Sequence, residues 1–167
     1  MARVTHKKVK QLIQERRGKI TDREFFTSRM LALHFEDIAA AQTKRYGSHR
    51  PVRVHLTWEP DASHAACTNN LTIHINVGNP IITQFPTREE RYQMMCGLFA
   101  HELGHCETGS FYNRYAKLDV RQQHENRADK WAIRRLVPMA ESCASPADGR
   151  DPSPAPVHPF VPARAVM

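Results

Sequence analysis

Residues 101–105 read His101-Glu102-Leu103-Gly104-His105, and twenty residues beyond them comes Glu125-Asn126-Arg127-Ala128-Asp129. The first stretch is H-E-x-x-H. On an α-helix, positions i and i+4 share a face, so both imidazoles can reach one metal ion. Glu102, beside the first ligand and the open coordination position, can take a proton from water there. Glu125 and Asp129 are likewise i and i+4. One helix face therefore offers a carboxylate to the metal and a second to the outer N–H of a ligand histidine, which fixes its tautomer. The alternative third ligand, H-E-x-x-H-x-x-G-x-x-H, fails because the chain has Thr108 and Phe111 at the required Gly and His.

Both stretches fall in segments that read as helices. Thr87-Arg88-Glu89-Glu90 is a capping box, and Tyr92, Met95, Cys96, Phe99 and Leu103 follow as one apolar stripe that Gly109 can end. Residues 110–120 read as a loop, and a further helix is expected over 121–136, ending before Pro138. Upstream the period changes to two. Val52, Val54, Leu56 and Trp58 alternate with polar residues, and so do Leu71, Ile73, Ile75 and Val77, until Gly78-Asn79-Pro80 stops the run. Residues 59–70 are rich in turn formers. At the start, residues 4–18 suggest a short basic helix, and the capping box Thr21–Glu24 opens a second one that runs towards Tyr46.

Composition narrows the class. In 167 residues no apolar window is long enough for a membrane span, and the basic N-terminus lacks the apolar region of a secretion signal. Four cysteines without a C-x-x-C pair fit a reducing cytoplasmic setting. The formal charge of +7 resides entirely in the first 50 residues, where 12 Lys/Arg face 5 Asp/Glu. No nucleic-acid-binding motif accompanies it, so nucleic acid is not the expected partner. Residues 140–167 hold six of the eleven prolines and are expected to be disordered. The organisation expected is a basic helical segment (1–46), a domain carrying the motif (47–139) and a Pro-rich tail (140–167). Its class is α+β, mostly helical, with a short antiparallel sheet preceding the H-E-x-x-H helix.

HELGH followed by HENRADKWAIRRLVP, with CETGSFYN between them, resembles the ImmA/IrrE family of zinc metallopeptidases, most closely over residues 98–138. The resemblance implies a small zincin-like, gluzincin-type protease that cleaves a protein substrate such as a helix-turn-helix repressor. It places Zn²⁺ on His101, His105 and Glu125, and the general acid/base on Glu102. The remaining roles stay open in the sequence. Tyr112, Tyr115 and His124 are candidates to stabilise the transition state, against loop packing or an exposed polar role. Cys106 reads as a small thiol pointing off the ligand face. The strand bearing Leu71, Ile73, Ile75 and Val77 is expected to lie at the sheet edge, where an extended peptide can add to it. The competing class is a non-proteolytic, metal-containing regulator that binds a repressor or nucleic acid through its basic first third.

Overall fold

The computed structural model describes residues 9, 11, 20–46, 51–68, 70–111 and 115–143. Over these the chain is α+β and mostly helical. Helices α1 (Asp22–Phe26) and α2 (Arg29–Tyr46) precede strands β1 (Arg53–Thr57), β2 (Ala65–Cys67) and β3 (Thr72–Asn76). Helices α3 (Pro80–Thr83), α4 (Arg88–Thr108) and α5 (Leu118–Cys143) follow. No described helix is long and apolar enough to cross a membrane.

Local chemistry sets most of the helix ends. Thr21 and Glu24 form a reciprocal capping box at α1, and Thr87 and Glu90 form one at α4. Asn79 caps α3, with Pro80 in the first turn where its missing N–H costs nothing. Gly109 ends α4 in the left-handed conformation (φ 64°), its N–H donating to the His105 carbonyl. The helix expected to run unbroken from Thr21 is instead two helices. Thr27 Oγ1 donates to the Arg23 carbonyl at 2.7 Å, and Ser28 Oγ accepts from the Leu31 N–H at 3.2 Å, so the two hydroxyls end one helix and start the next. Helix α5 is also longer than expected. It begins at Leu118 and passes through Pro138 to Cys143, because proline forfeits its own bond to the preceding turn while the rest of the ladder persists. Of the expected helix over 4–18, only Val9 and Gln11 are described; both are helical, and Val9 is buried. The tail beyond residue 143 lies outside the described residues.

The sheet corrects two expectations. Its order is β1-β3-β2, with β1 parallel and β2 antiparallel to β3, so it is mixed and not antiparallel. The turn after β1 carries the chain past one strand position, and β3 then fills the gap. Leu71, Ile73, Ile75 and Val77 consequently lie on the central strand or its ends, not at an edge; all four are buried. Both sides of β3 are paired, which removes it as a template for an added peptide. The outer side of β1 is covered as well, since the Val54 N–H donates to Glu36 of α2 at 3.1 Å. What remains is β2. His64 and Thr68 bond to β3, through Asn76 N–H to the His64 carbonyl and Thr68 N–H to the Thr72 carbonyl. By alternation, Ala65 and Cys67 turn their main-chain groups to the free edge.

One core joins all layers. Phe25 and Phe35 from the first helices meet Ile73 and Ile75 of the sheet and Met95, Phe99 and Leu103 of α4. Phe35 packs on Phe99 with ring centroids 4.7 Å apart. Asp22 accepts from both Arg88 and Arg91, at 2.7 and 2.6 Å, which ties α1 to the first turn of α4. Helices α4 and α5 cross closely at Gly104. A methyl group added at Gly104 would sit 2.7 Å from the Ala128 carbonyl oxygen and 3.0 Å from its Cα. Real Cβ atoms do not approach backbone so closely. Gly104→Ala should therefore force the two helices apart, costing about 1–3 kcal/mol by overpacking. The thermal midpoint should fall by roughly 2–12 °C; an unchanged midpoint would show that the crossing has slack.

Candidate metal centre

The close crossing at Gly104 sets the last turns of α4 against the second turn of α5 and its continuation. His101 and His105 face Glu125 and Asp129 across it. Glu125 Oε2 lies 3.1 Å from His101 Nε2 and 3.5 Å from His105 Nε2, and the two Nε2 atoms are 3.1 Å apart. Three ligands of a tetrahedral ion with bonds of about 2.1 Å stand about 3.4 Å apart. The triangle fits that shell.

Hydrogen bonds on the outer side of each ring decide what the inner nitrogens are. His105 Nδ1–H donates to the Ser110 carbonyl at 2.7 Å. A carbonyl only accepts, so in the neutral ring the proton is on Nδ1 and Nε2 presents a lone pair. His101 Nδ1–H donates to Asp129 Oδ1 at 2.8 Å, which fixes the same tautomer. Two lone pairs and a carboxylate oxygen then converge on one point. That arrangement calls for a cation, and His101, His105 and Glu125 are a group that can hold a metal ion.

Electrostatics agree. Burial works against charge on His101, but Glu125, Glu102 and Asp129 together outweigh it and hold the metal-free imidazole up to about 9. Its hydrogen bond to His101, and then that to His105, keep the Glu125 carboxyl well below the ordinary carboxylate range. Glu102 is 6% exposed. Burial pushes its carboxyl up while the two imidazoles pull it down, and it also accepts from the Cys67 backbone N–H. That bond uses one of the main-chain groups on the free edge of β2, so the edge strand and the buried acid are in direct contact.

The structure thus brings His101, Glu102, His105, Glu125 and Asp129 together. Tyr115 is 80% exposed, and Tyr112 lies outside the described residues. His124 is half-buried beside Glu125 on α5. One contributor to the site and one neighbouring group are not evident in the sequence. Ser110 acts through its carbonyl, a group every residue has, and the only sequence signal is the Gly109 turn that folds it back. His64 lies in the turn-rich stretch before β2; it is half-buried, and burial followed by the charge on His101 lowers its pKa. Compared with protein-family models, with curated proteins and with solved structures, the chain finds no match.

Two outcomes follow for metal binding. One ion per chain should bind, Glu125→Ala should lose it, and Asp129→Asn should weaken binding about 10–100-fold; elemental analysis and competition with a chromogenic chelator measure both. Because metal-free His101 is protonated below about 9, uptake at neutral pH must displace its proton. Affinity should then fall as pH drops, roughly tenfold per unit for that one proton, and level off above its pKa. Calorimetry in buffers of different ionisation enthalpy reads the released proton, and a flat profile between pH 6 and 8 would contradict the assignment.

Proposed function

We propose that this chain is a zinc-dependent endopeptidase of the kind its motif resembles, the ImmA/IrrE metallopeptidases. The observation that carries the reading is Glu102, a buried carboxylate beside the three convergent ligands and bonded to the free edge of β2. A site that only bound metal would have no use for an acid held there. Two imidazoles and one carboxylate are a donor set that suits zinc and leaves a position open. Zinc held by His101, His105 and Glu125 supplies a Lewis acid that acidifies water and polarises a carbonyl.

The chain's own residues do the rest. Glu102 accepts the proton of the attacking water and passes it to the leaving amine, a task that its raised pKa favours. Asp129 and the Ser110 carbonyl hold the two imidazoles in orientation. An extended substrate pairs with the outward main-chain groups of Ala65 on that edge, while the Cys67 N–H stays on Glu102, which sets the bond to be cut beside Glu102. The substrate class suggested by the resemblance is a helix-turn-helix repressor, and the compartment expected is the cytoplasm.

The decisive comparison is Glu102→Gln. Turnover of a protein substrate should fall by at least about 10²-fold, with metal content unchanged. Partner binding without turnover in the parent protein would instead favour a non-proteolytic regulator. Ala65→Pro tests the edge. It removes an outward N–H and no bond to β3, so cleavage should drop while metal content and helicity stay as in the parent. Cleavage at the parental rate would exclude β2 as the docking strand.

A further inference from the structure

Two thiols beside the site have no part in the chemistry above. Cys67 ends β2 and is 8% exposed, and Cys106 follows the ligand His105 on α4 and is half-buried. Their Sγ atoms are 2.7 Å apart, across 39 residues of sequence. Both are free thiols. The separation is closer than non-bonded sulfurs ordinarily approach and only about 0.7 Å beyond the bonding distance. Cys96 precedes Cys106 by ten residues on the same helix, about 15 Å along its axis, and does not compete. Cys106 points away from the metal group and toward the strand, so two elements with no other covalent link meet at a pair of sulfurs.

We propose that Cys67 and Cys106 are a reversible disulfide site, a redox-sensitive clamp between the free edge strand and the helix that carries the metal group. The oxidant class is a peroxide. Cys106, the more accessible thiol, attacks hydrogen peroxide, becomes a sulfenic acid and releases one water. The Cys67 sulfur then displaces the hydroxyl, which leaves as a second water, and the S–S bond forms. Two thiols and one peroxide yield one disulfide and two waters. A small dithiol reverses the reaction by exchange. The consequence lies in what Cys67 already does. Its N–H holds Glu102, and β2 is only three residues long. With the clamp open, a short ladder to β3 keeps the edge in place; with it closed, the edge is fixed to α4 at a set distance from Glu102. The pairing does not depend on the peptidase reading; only its bearing on substrate does.

The experiment uses the reduced, metal-loaded full chain treated with hydrogen peroxide, then blocked with an alkylating reagent and mapped by mass spectrometry. Two fewer thiols should alkylate, a peptide linked through Cys67 and Cys106 should appear, and dithiothreitol should restore both thiols. Metal content should not change. The thermal midpoint of the oxidised form should rise by roughly 10 °C, since the bond closes a loop of about 40 residues. In the Cys67→Ala protein, the same treatment should carry Cys106 on to the sulfinic acid. The Glu102→Gln protein should still form the link, which separates this test from any failure of the peptidase reading. A Cys67 that stays alkylatable, or a Cys106 linked to Cys96 or Cys143, would overturn the proposal.

Discussion

The close approach of Gly104 on α4 to Ala128 on α5 is the constraint from which the rest of the site follows. Gly104 is the second variable position of H-E-x-x-H, between the ligands it separates, and Ala128 is completely buried against it. Only because neither residue brings a large side chain to the crossing can Glu125 come within 3.1 Å of His101 Nε2. The same crossing sets Asp129 one turn further along α5, behind the His101 ring. A wider spacing would leave two imidazoles on one helix and two carboxylates on another with nothing between them but water.

Around this contact the polar groups are arranged to leave one unmet need. The outer ring nitrogens have acceptors, so the inner ones have no proton to share, and the Glu125 carboxylate adds a third acceptor. Without metal, the molecule meets the need by keeping a proton on His101. A metal ion meets it with the stronger charge. Glu102 is buried next to this group yet is not part of the triangle. It is held from the opposite side by the edge strand, which joins the metal group to β2.

How much of this was legible in the sequence depends on whether the cause was local. Both capping boxes, the Gly109 stop, the stripe from Tyr92 to Leu103, and the i, i+4 pairs on each helix are set within a few residues, and they read directly. The sheet did not. Alternation shows that Leu71, Ile73, Ile75 and Val77 share a face, but the same pattern suits an edge or a central strand, and strand order is decided by a turn whose path no period encodes. The three-residue β2 is too short to show any period, so the edge strand that holds Glu102 is hidden among turn residues. The same holds for Cys67 and Cys106, whose meeting depends on how β2 lies on α4. Helix α5 continues through Pro138 against the sequence expectation because one missing N–H does not stop a helix whose other bonds persist.

The central claim is that two imidazoles and one carboxylate, with no sulfur, surround one metal. X-ray absorption at the zinc edge of the loaded, reduced protein tests it most directly, because two thiols lie on the residues flanking the site. The first shell should be nitrogen and oxygen alone at about 2.0–2.1 Å, with the outer-shell pattern of two imidazoles. A sulfur scatterer at about 2.3 Å would contradict it, since the ion would then be held by Cys106 or Cys67 in place of Glu125.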